Sequence, residues 1–178
     1  MIETDRLFLR PPVHSDLAWT IAQLNTPAVT RYLGGVRAAA EVEAGFVRNA
    51  EGIAKGEPGF WTIVINESGA IAGKCGLASI SNDHAPASLQ GCLQIGWSLG
   101  EQFWGKGLAT EAARAVLGYA FGPLGAAVVY SQTSDSNAAS TRLMARLELQ
   151  RRADLDYTDP DYPAADNPTT IYQAEREP

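Results

Sequence analysis

The segment from Leu93 to Ala120 constrains the fold of this chain more than any other part of the sequence. Its first residues, 93–99, form a short apolar run that predicts a buried strand. A glycine-rich turn built on Gln102, Gly105 and Gly107 follows, and it opens directly into an amphipathic helix. Glycines let backbone N–H groups turn inward, and the start of a helix leaves N–H donors unpaired. The segment therefore predicts a binding site for a phosphate or pyrophosphate group.

Two common phosphate-binding motifs fit this turn poorly. Gly100, Gly105 and Lys106 have the spacing of a P-loop, but Gly107 occupies the position where Ser or Thr would bind Mg²⁺. Gly105 and Gly107 could also begin a dinucleotide-binding motif, but Thr110 replaces its third glycine. No acidic residue ends a strand about 20 residues later, as that motif requires. The sequence therefore disfavours both a nucleoside triphosphatase and a dinucleotide site.

Length and composition indicate one globular domain over residues 1–178. The net charge of −6 disfavours a nonspecific nucleic-acid binder and is compatible with an amine-bearing substrate. Cys75 and Cys92 lie in apolar, strand-like contexts, which favours a reduced cytoplasmic protein over a disulfide scaffold. The N-terminus lacks the pattern of a signal peptide, and no apolar run approaches membrane-spanning length. We therefore expect a cytoplasmic protein with no nucleic-acid or membrane partner.

The remaining pattern predicts a mixed α/β domain in which several strands are separated by helices. Helices are expected over residues 17–24, 27–33, 38–54, 108–120 and 138–147. The segment 154–168 contains five Asp and three Pro, a composition typical of a solvated loop. An isolated glycine at Gly96 suggests a β-bulge or a close backbone approach. Strands are expected over residues 6–10, 60–65, 71–80, 91–99, 126–132 and 169–174.

Five segments, in order along nearly the whole chain, resemble motifs of RimJ/RimL-type GNAT N-acetyltransferases. They are residues 3–11 (ETDRLFLRP), 71–77 (IAGKCGL), 94–97 (QIGW), 102–112 (QFWGKGLATEA) and 137–142 (NAASTR). The fourth of these resembles the acyl-CoA signature of the family. Each motif is weak alone, but five in the family's order make the resemblance specific.

The resemblance implies the GNAT fold: a central, mostly antiparallel, twisted sheet with helices on both faces and a splay between the family's fourth and fifth strands. It implies direct transfer of an acetyl group from acetyl-CoA to a primary amine through a tetrahedral intermediate, without a metal. The acceptor class includes protein N-termini, amino acids and other small amines. The acceptor's identity, the use of other acyl groups and the choice between monomer and homodimer stay open.

The resemblance also assigns roles to particular residues. A backbone N–H at Gly96 would stabilise the oxyanion, and Ser140 would protonate the thiolate or else only cap its helix. Asn137 would orient the pantetheine arm of acetyl-CoA, which would lie along Trp97, Ser98 and Leu99. The pyrophosphate would bind at the glycine turn, whose residues are Gln102, Phe103, Trp104, Gly105, Lys106, Gly107, Leu108, Ala109 and Thr110.

Three positions depart from the family pattern. Gln94 replaces a frequent Glu on the family's fourth strand, and an amide cannot act as a general base. Met144 replaces a Tyr acid, and Glu148 replaces a Gly after the following helix. A non-catalytic acyl-CoA-binding module is therefore the alternative to an enzyme. The base stays open among a relayed water, Glu41, Glu43, Asp83, His84 and the acids of the segment 154–168, namely Asp154, Asp156, Asp159, Asp161 and Asp166.

Overall fold

Eight strands form one mixed sheet in the computed structural model, which describes residues 1–176. Their order across the sheet is β1-β2-β3-β4-β5-β6-β8-β7, and neighbours are antiparallel except for the parallel pair β5 and β6. The strands are β1 (Ile2–Glu3), β2 (Leu7–Arg10), β3 (Phe60–Ile65), β4 (Ile71–Ser79), β5 (Leu93–Leu99), β6 (Val128–Ser134), β7 (Gln150–Arg151) and β8 (Thr169–Glu175).

Four helices of the described chain cover the two faces of this sheet. They are α1 (Asp16–Leu24), α2 (Ala39–Ala54), α3 (Leu108–Phe121) and α4 (Ala138–Arg146). Side chains alternate between the faces of a strand, so the even-numbered residues Thr62, Lys74 and Ser98 face away from the core residues Cys75 and Ile95. Helix α3 packs on the core face through its apolar stripe, Leu108, Ala112, Ala113, Val116, Leu117 and Ala120.

Helix α1 lies over the other face of the sheet. Asp16, its first residue, is buried, and its carboxylate accepts hydrogen bonds from the Thr62 hydroxyl at 3.0 Å and from the Arg10 guanidinium at 2.7 and 2.8 Å. The predicted mixed α/β architecture with helices on both faces is confirmed.

Strands β5 and β6, which correspond to the family's fourth and fifth strands, separate along their length. Their only strand pairing in the described residues is Gln94 with Tyr130. The Ser131 hydroxyl then donates to the Ile95 carbonyl at 3.2 Å. Beyond Ile95, no strand in residues 1–176 pairs with β5 on this side, so the edge of β5 faces a gap. The expected splay is confirmed.

The helix expected over residues 27–33 is wrong, because this segment folds into successive turns. Gly34 and Gly35, both at φ +84°, cannot continue a helix. The Asn25 side chain exchanges two hydrogen bonds with the Arg37 backbone, which closes the segment into a loop. Strands β1 and β7 were not predicted, because each has only two residues and shows no periodicity.

The segment 154–168 is not simply a solvated loop, as its composition suggested. Asp154, Asp156 and Asp166 pair with Arg152, Arg151 and Arg31 respectively, and the N–O distances are 2.5–2.6 Å. Asp159 is 1% exposed and accepts a hydrogen bond from the Asn82 side chain at 2.6 Å. These partners lie on other elements or just before the segment, so composition within the segment could not reveal the folded loop.

None of the helices in residues 1–176 has the length and apolar character needed to cross a membrane.

Glu148 follows the C-cap of helix α4 and has the left-handed conformation, with φ 61°. The family pattern has glycine at this position. We expect Glu148→Gly to raise the free energy of unfolding by up to about 1 kcal/mol, because glycine removes the Cβ strain. Glu148→Ala keeps the Cβ and should give no such gain. Urea denaturation of both variants measures the difference, and equal stability of the two would contradict the strain.

Candidate active site

The glycine turn, residues 100–107, joins β5 to α3 through two left-handed glycines. Gly105 has φ 73° and Gly107 has φ 75°, and Gly107 is the N-cap residue of α3. No side chain caps this helix, so the first N–H groups of α3 are available to a ligand. The Trp104 indole donates to the Leu99 carbonyl at 2.8 Å, which fixes the turn to the end of β5.

Glu111 fixes the glycine turn to the N-terminal strands. Its carboxylate accepts hydrogen bonds from the Thr4 hydroxyl at 2.6 Å, the Arg6 backbone N–H at 3.0 Å and the Arg6 guanidinium at 2.6 Å. Arg6 also donates to the Lys106 carbonyl at 3.0 Å. Burial alone would raise the pKa of Glu111, but the hydrogen bonds from Thr4 and Arg6 lower it below its ordinary value. Glu111 therefore stays ionised near neutral pH.

A cavity of about 750 Å³, which we call the turn cavity, lies outside the glycine turn. The glycines and Thr110 line one side of it, and the arginines Arg6, Arg114 and Arg146 line another. Arg114 donates to the Arg146 carbonyl at 3.2 Å, so α3 and α4 present these two side chains together. Arginines beside an uncapped helix N-terminus suit a phosphate group. Sequence reasoning missed Arg114 and Arg146, because they lie on different helices.

Gly96 lies in a regular part of β5, opposite Gly76 of β4, so the expected bulge is wrong. The irregularity in this part of the sheet is between Ile63 and Val64. A Cβ built on Gly96 would lie 3.2 and 3.3 Å from two ring atoms of Phe60. The close approach is therefore that of an aromatic ring and not of a backbone. Glycine at this position leaves room for the ring beside the edge of β5.

A second cavity, of about 760 Å³, opens where β5 and β6 separate, and we call it the split cavity. Gln94, Gly96, Trp97 and Ser98 line it from β5. Across the gap it is lined by Gln132 of β6, by Asn137 and Ser140, and by Tyr157, Asp159, Asp161 and Tyr162. The structure thus brings Gly96, Trp97, Ser98, Asn137 and Ser140 to one cavity. It places Gly105, Gly107 and Thr110 at the turn cavity instead.

A neutral hydrogen-bond chain fixes Gln94 in the wall of the split cavity. The Gln132 amide donates to Gln94 Oε1 at 2.7 Å, and the Tyr157 hydroxyl donates to Gln132 Oε1 at 2.7 Å. Burial, followed by the charge of Asp159, raises the pKa of Tyr157 to about 12. The three side chains are therefore uncharged near neutral pH, and none of them can act as a strong base.

Helix α4 begins at this cavity with Asn137 as its N-cap. Asn137 Oδ1 accepts from the Ser140 backbone N–H at 3.3 Å, so Asn137 caps the helix and the capping role considered for Ser140 is not observed. Met144 lies one turn further along and is 1% exposed, within the hydrophobic core. Met144 therefore cannot reach a ligand in the cavity.

The domain model described as acetyltransferase (GNAT) domain matches residues 6–150. The chain belongs to the GNAT acetyltransferase family. A crystal structure of a GNAT-family acetyltransferase from Bacillus anthracis superposes with a TM-score of 0.80 at 18% identity, covering 98% of each chain. At this identity the likeness shows the fold.

Two relatives are more similar to this chain in sequence than that structure is. An uncharacterized N-acetyltransferase, p20, of Bacillus licheniformis is 29% identical over 104 residues, which span 58% of this chain and 55% of that protein. The FsC-acetyl coenzyme A-N(2)-transacetylase of Aspergillus fumigatus is 33% identical over 146 residues, which span 81% of this chain and 62% of that protein. This GNAT chain therefore matches less than two thirds of the length of either relative.

Five of the proposed proton acceptors line the split cavity of this GNAT domain: Asp83, Asp166, His84, Asp159 and Asp161. The side-chain polar atoms of the last three lie within 4.8 Å of one another. Glu41 lines a neighbouring cavity, and its carboxylate accepts from the Ala38 N–H at the start of α2. Glu43 lines neither cavity, so the structure gives no support for Glu43 as the general base.

The neighbouring cavity, of about 380 Å³, lies between α1, α2 and the sheet of the GNAT domain, and we call it the helix-side cavity. It contains Thr20 and Phe46 from the two helices. This cavity adjoins the split cavity, and six residues line both: Leu33, Arg37, Phe60, Lys74, Ser98 and Tyr162. The sequence analysis did not predict Arg37, Phe60 or Lys74 as site residues.

We expect Glu111→Gln to lower the free energy of unfolding at pH 7 by about 1–2 kcal/mol, because it removes the charge that Thr4 and Arg6 bind. A lowered folded-state pKa stabilises the protein above the ordinary Glu pKa of about 4.3, and this contribution is lost as the pH falls through the lowered value. The difference in stability between wild type and variant, measured by urea denaturation, should therefore shrink between pH 7 and pH 3.

Glu43→Gln is the matched control, because Glu43 is exposed and has no ion pair in residues 1–176. Its stability should follow wild type at both pH values. A Glu111→Gln defect of the same size at pH 7 and pH 3 would contradict a role for the charge.

Proposed function

We propose that this chain transfers the acetyl group of acetyl-CoA to a primary amine. One observation carries the proposal: the unpaired edge of β5 runs from the split cavity at Gly96 to the glycine turn after Leu99. Acetyltransferases of the GNAT family use acetyl-CoA. A long ligand with an anionic end and a reactive end fits such an edge, because each end meets a different cavity.

The residues at the two cavities have the chemistry that acetyl-CoA requires. In the proposal, the unpaired backbone N–H groups of the end of the turn and the start of α3 bind its pyrophosphate, with Arg114 and Arg146 adding positive charge. The pantetheine arm lies along Trp97, Ser98 and Leu99 and forms hydrogen bonds with the strand edge. The fit rests on the uncapped start of α3 and on the missing strand partner of β5. Gln102, Phe103 and Trp104 support the turn, and the Lys106 ammonium lies 5.7 Å from the Phe103 ring centroid.

Bound acetyl-CoA supplies an acetyl thioester at Gly96. Transfer would form a nitrogen–carbon bond as the carbon–sulfur bond breaks. An ammonium acceptor must lose one proton before it attacks and a second afterwards, and sulfur must gain one, so one proton passes in balance to solvent. The backbone N–H groups near Gly96 stabilise negative charge on the carbonyl oxygen. Ser140 supplies the proton to sulfur from the opposite wall. No nucleophile of the enzyme takes part, so positioning provides much of the rate.

The acceptor's proton leaves by way of water towards the carboxylates of the split cavity. Gln94 cannot accept it, because its amide is neutral and already accepts from Gln132. Asp83, His84, Asp159 and Asp161 lie in the wall of this cavity. This arrangement replaces a single strand-borne base with an acidic wall reached through solvent.

The proposed function predicts release of free CoA thiol when the purified protein is mixed with acetyl-CoA and a panel of amines. The panel should include free amino acids, peptides, polyamines and aminoglycosides. Thr110→Glu, which places a negative charge in the turn cavity, should weaken acetyl-CoA binding at least tenfold by calorimetry. Gly107→Glu should abolish binding by the same repulsion, with added backbone strain at φ 75°.

Gly118→Glu is the matched control for charge, because Gly118 lies on the same helix, where a Cβ would meet no atom within 4 Å. It should bind acetyl-CoA as wild type does. Acetyl-CoA binding without thiol release on the whole panel would favour the non-catalytic alternative, and unchanged binding in Thr110→Glu would contradict the placement of the pyrophosphate.

A further inference from the structure

We propose that the acceptor of this enzyme carries a carboxylate or a similar anionic group, which binds between Lys74 and Arg37 where the split cavity and the helix-side cavity meet. The inference rests on the proposed function, since it names the class of acceptor for the same site. It predicts a small molecule that bears both an amine and an acid.

Lys74 and Arg37 reach the same space from two different elements. Lys74 lies on β4, paired with Ser98 of β5, and Arg37 lies in the loop before α2. Both residues line both cavities. The Lys74 side chain is exposed to solvent in the open cavities. Its ammonium group is nevertheless surrounded by many protein atoms, which desolvate it. This desolvation and the positive charge of Arg37 lower the pKa of Lys74.

Neither cation has a carboxylate partner within ion-pair distance in residues 1–176. The ion pairs of the described chain involve five other arginines: Arg6, Arg10, Arg31, Arg151 and Arg152. Arg37 donates from its guanidinium only to the Leu33 carbonyl, at 3.5 Å, and the Lys74 ammonium lies 5.4 Å from the Phe60 ring centroid. Glu41 is the one carboxylate among the residues of the helix-side cavity, and it caps α2.

Two cations that repel each other in a concave wall form a site for an anion. Their repulsion costs free energy that a bound carboxylate would offset. A hydrogen bond between an ionised donor and a carboxylate is also roughly twice as strong as a neutral one. The cofactor's phosphates are not the anion in question, because the turn cavity shares no residue with the helix-side cavity.

The opposite wall of the split cavity carries the complementary charge. Asp159 and Asp161 line it, and the Asp161 carboxylate has no ion pair in residues 1–176. Tyr162 lines both cavities and is influenced by both charges: burial and Asp159 raise its pKa, while Arg37 acts in the opposite direction. An acceptor with an ammonium and a carboxylate would align along this separation of charge, with its amine towards the acids that remove the proton.

Phe60 sets the distance between the anion site and the site of transfer. The Lys74 ammonium lies on one side of the Phe60 ring, 5.4 Å from its centroid, and the edge of the ring approaches Gly96. The anion site is thus about one aromatic ring away from the strand edge where the thioester would lie. A short spacer between amine and acid fits this distance, as in an amino acid or its close analogues.

The test compares pairs of amines in which one member carries a carboxylate and the other carries a neutral amide in its place. Leucine and leucinamide form one pair, and β-alanine and β-alaninamide form another. Thiol release from acetyl-CoA gives kcat and KM for each amine. Calorimetry on the CoA-loaded protein measures binding of the amine without turnover. We expect at least one acid to have a KM about tenfold or more below that of its amide. Lys74→Ala should raise the KM of the acid about tenfold and leave that of the amide unchanged.

Two controls separate the inference from the proposed function. Lys55→Ala removes an exposed lysine outside these cavities and should change neither KM, and Lys74→Arg should restore part of the preference for the acid. Equal KM values for acids and amides would overturn the anion site. An equal rise in the KM of acid and amide in Lys74→Ala would overturn it as well. Absence of thiol release with every amine would overturn the proposed function, and the calorimetric comparison of acid with amide would still decide the inference.

Discussion

The position of the glycine turn depends on one interaction, the binding of the Glu111 carboxylate by Thr4 and Arg6. Two left-handed glycines give the turn little stiffness of its own. Because Arg6 also binds the Lys106 carbonyl, the end of the turn and the first turns of α3 are both fixed to the segment between β1 and β2. The carboxylate takes its hydrogen bonds from the N-terminal segment, so the N–H groups that begin α3 stay available. A phosphate-binding turn thus gains rigidity without losing its donors.

The separation of β5 from β6 gives the site its two halves. The strands pair at Gln94, and the neutral chain through Gln132 and Tyr157 fixes that end. Past Ile95 the gap leaves one edge of β5 for a ligand, while the face of the sheet carries Phe60 and Lys74 towards α1 and α2. Cofactor and acceptor would therefore approach Gly96 from different directions. That geometry suits direct transfer, in which positioning replaces a covalent enzyme intermediate.

Local patterns predicted much of this fold, and contacts between distant segments account for what they missed. The strand, turn and helix of residues 93–120 follow from apolar periodicity and glycine placement, and the splay followed from the family resemblance. The Arg6–Glu111 pair joins residues 105 apart, and Arg37 and Lys74 meet only through the fold. The helix expected over residues 27–33 failed because hydrogen bonds between Asn25 and Arg37 close that segment. Gly96 signalled a close approach, but only the structure shows that Phe60 makes it.

The central claim is that acetyl-CoA binds along the free edge of β5 and across the start of α3. Hydrogen–deuterium exchange with and without acetyl-CoA tests it at single segments. The account predicts slower amide exchange within residues 96–99 and 105–110 when acetyl-CoA is present, because the N–H groups of these segments that have no acceptor in the protein acquire one. Residues 62–64 of β3, which pair with both β2 and β4, serve as the internal reference. Unchanged exchange in both segments, with protection elsewhere, would contradict the account.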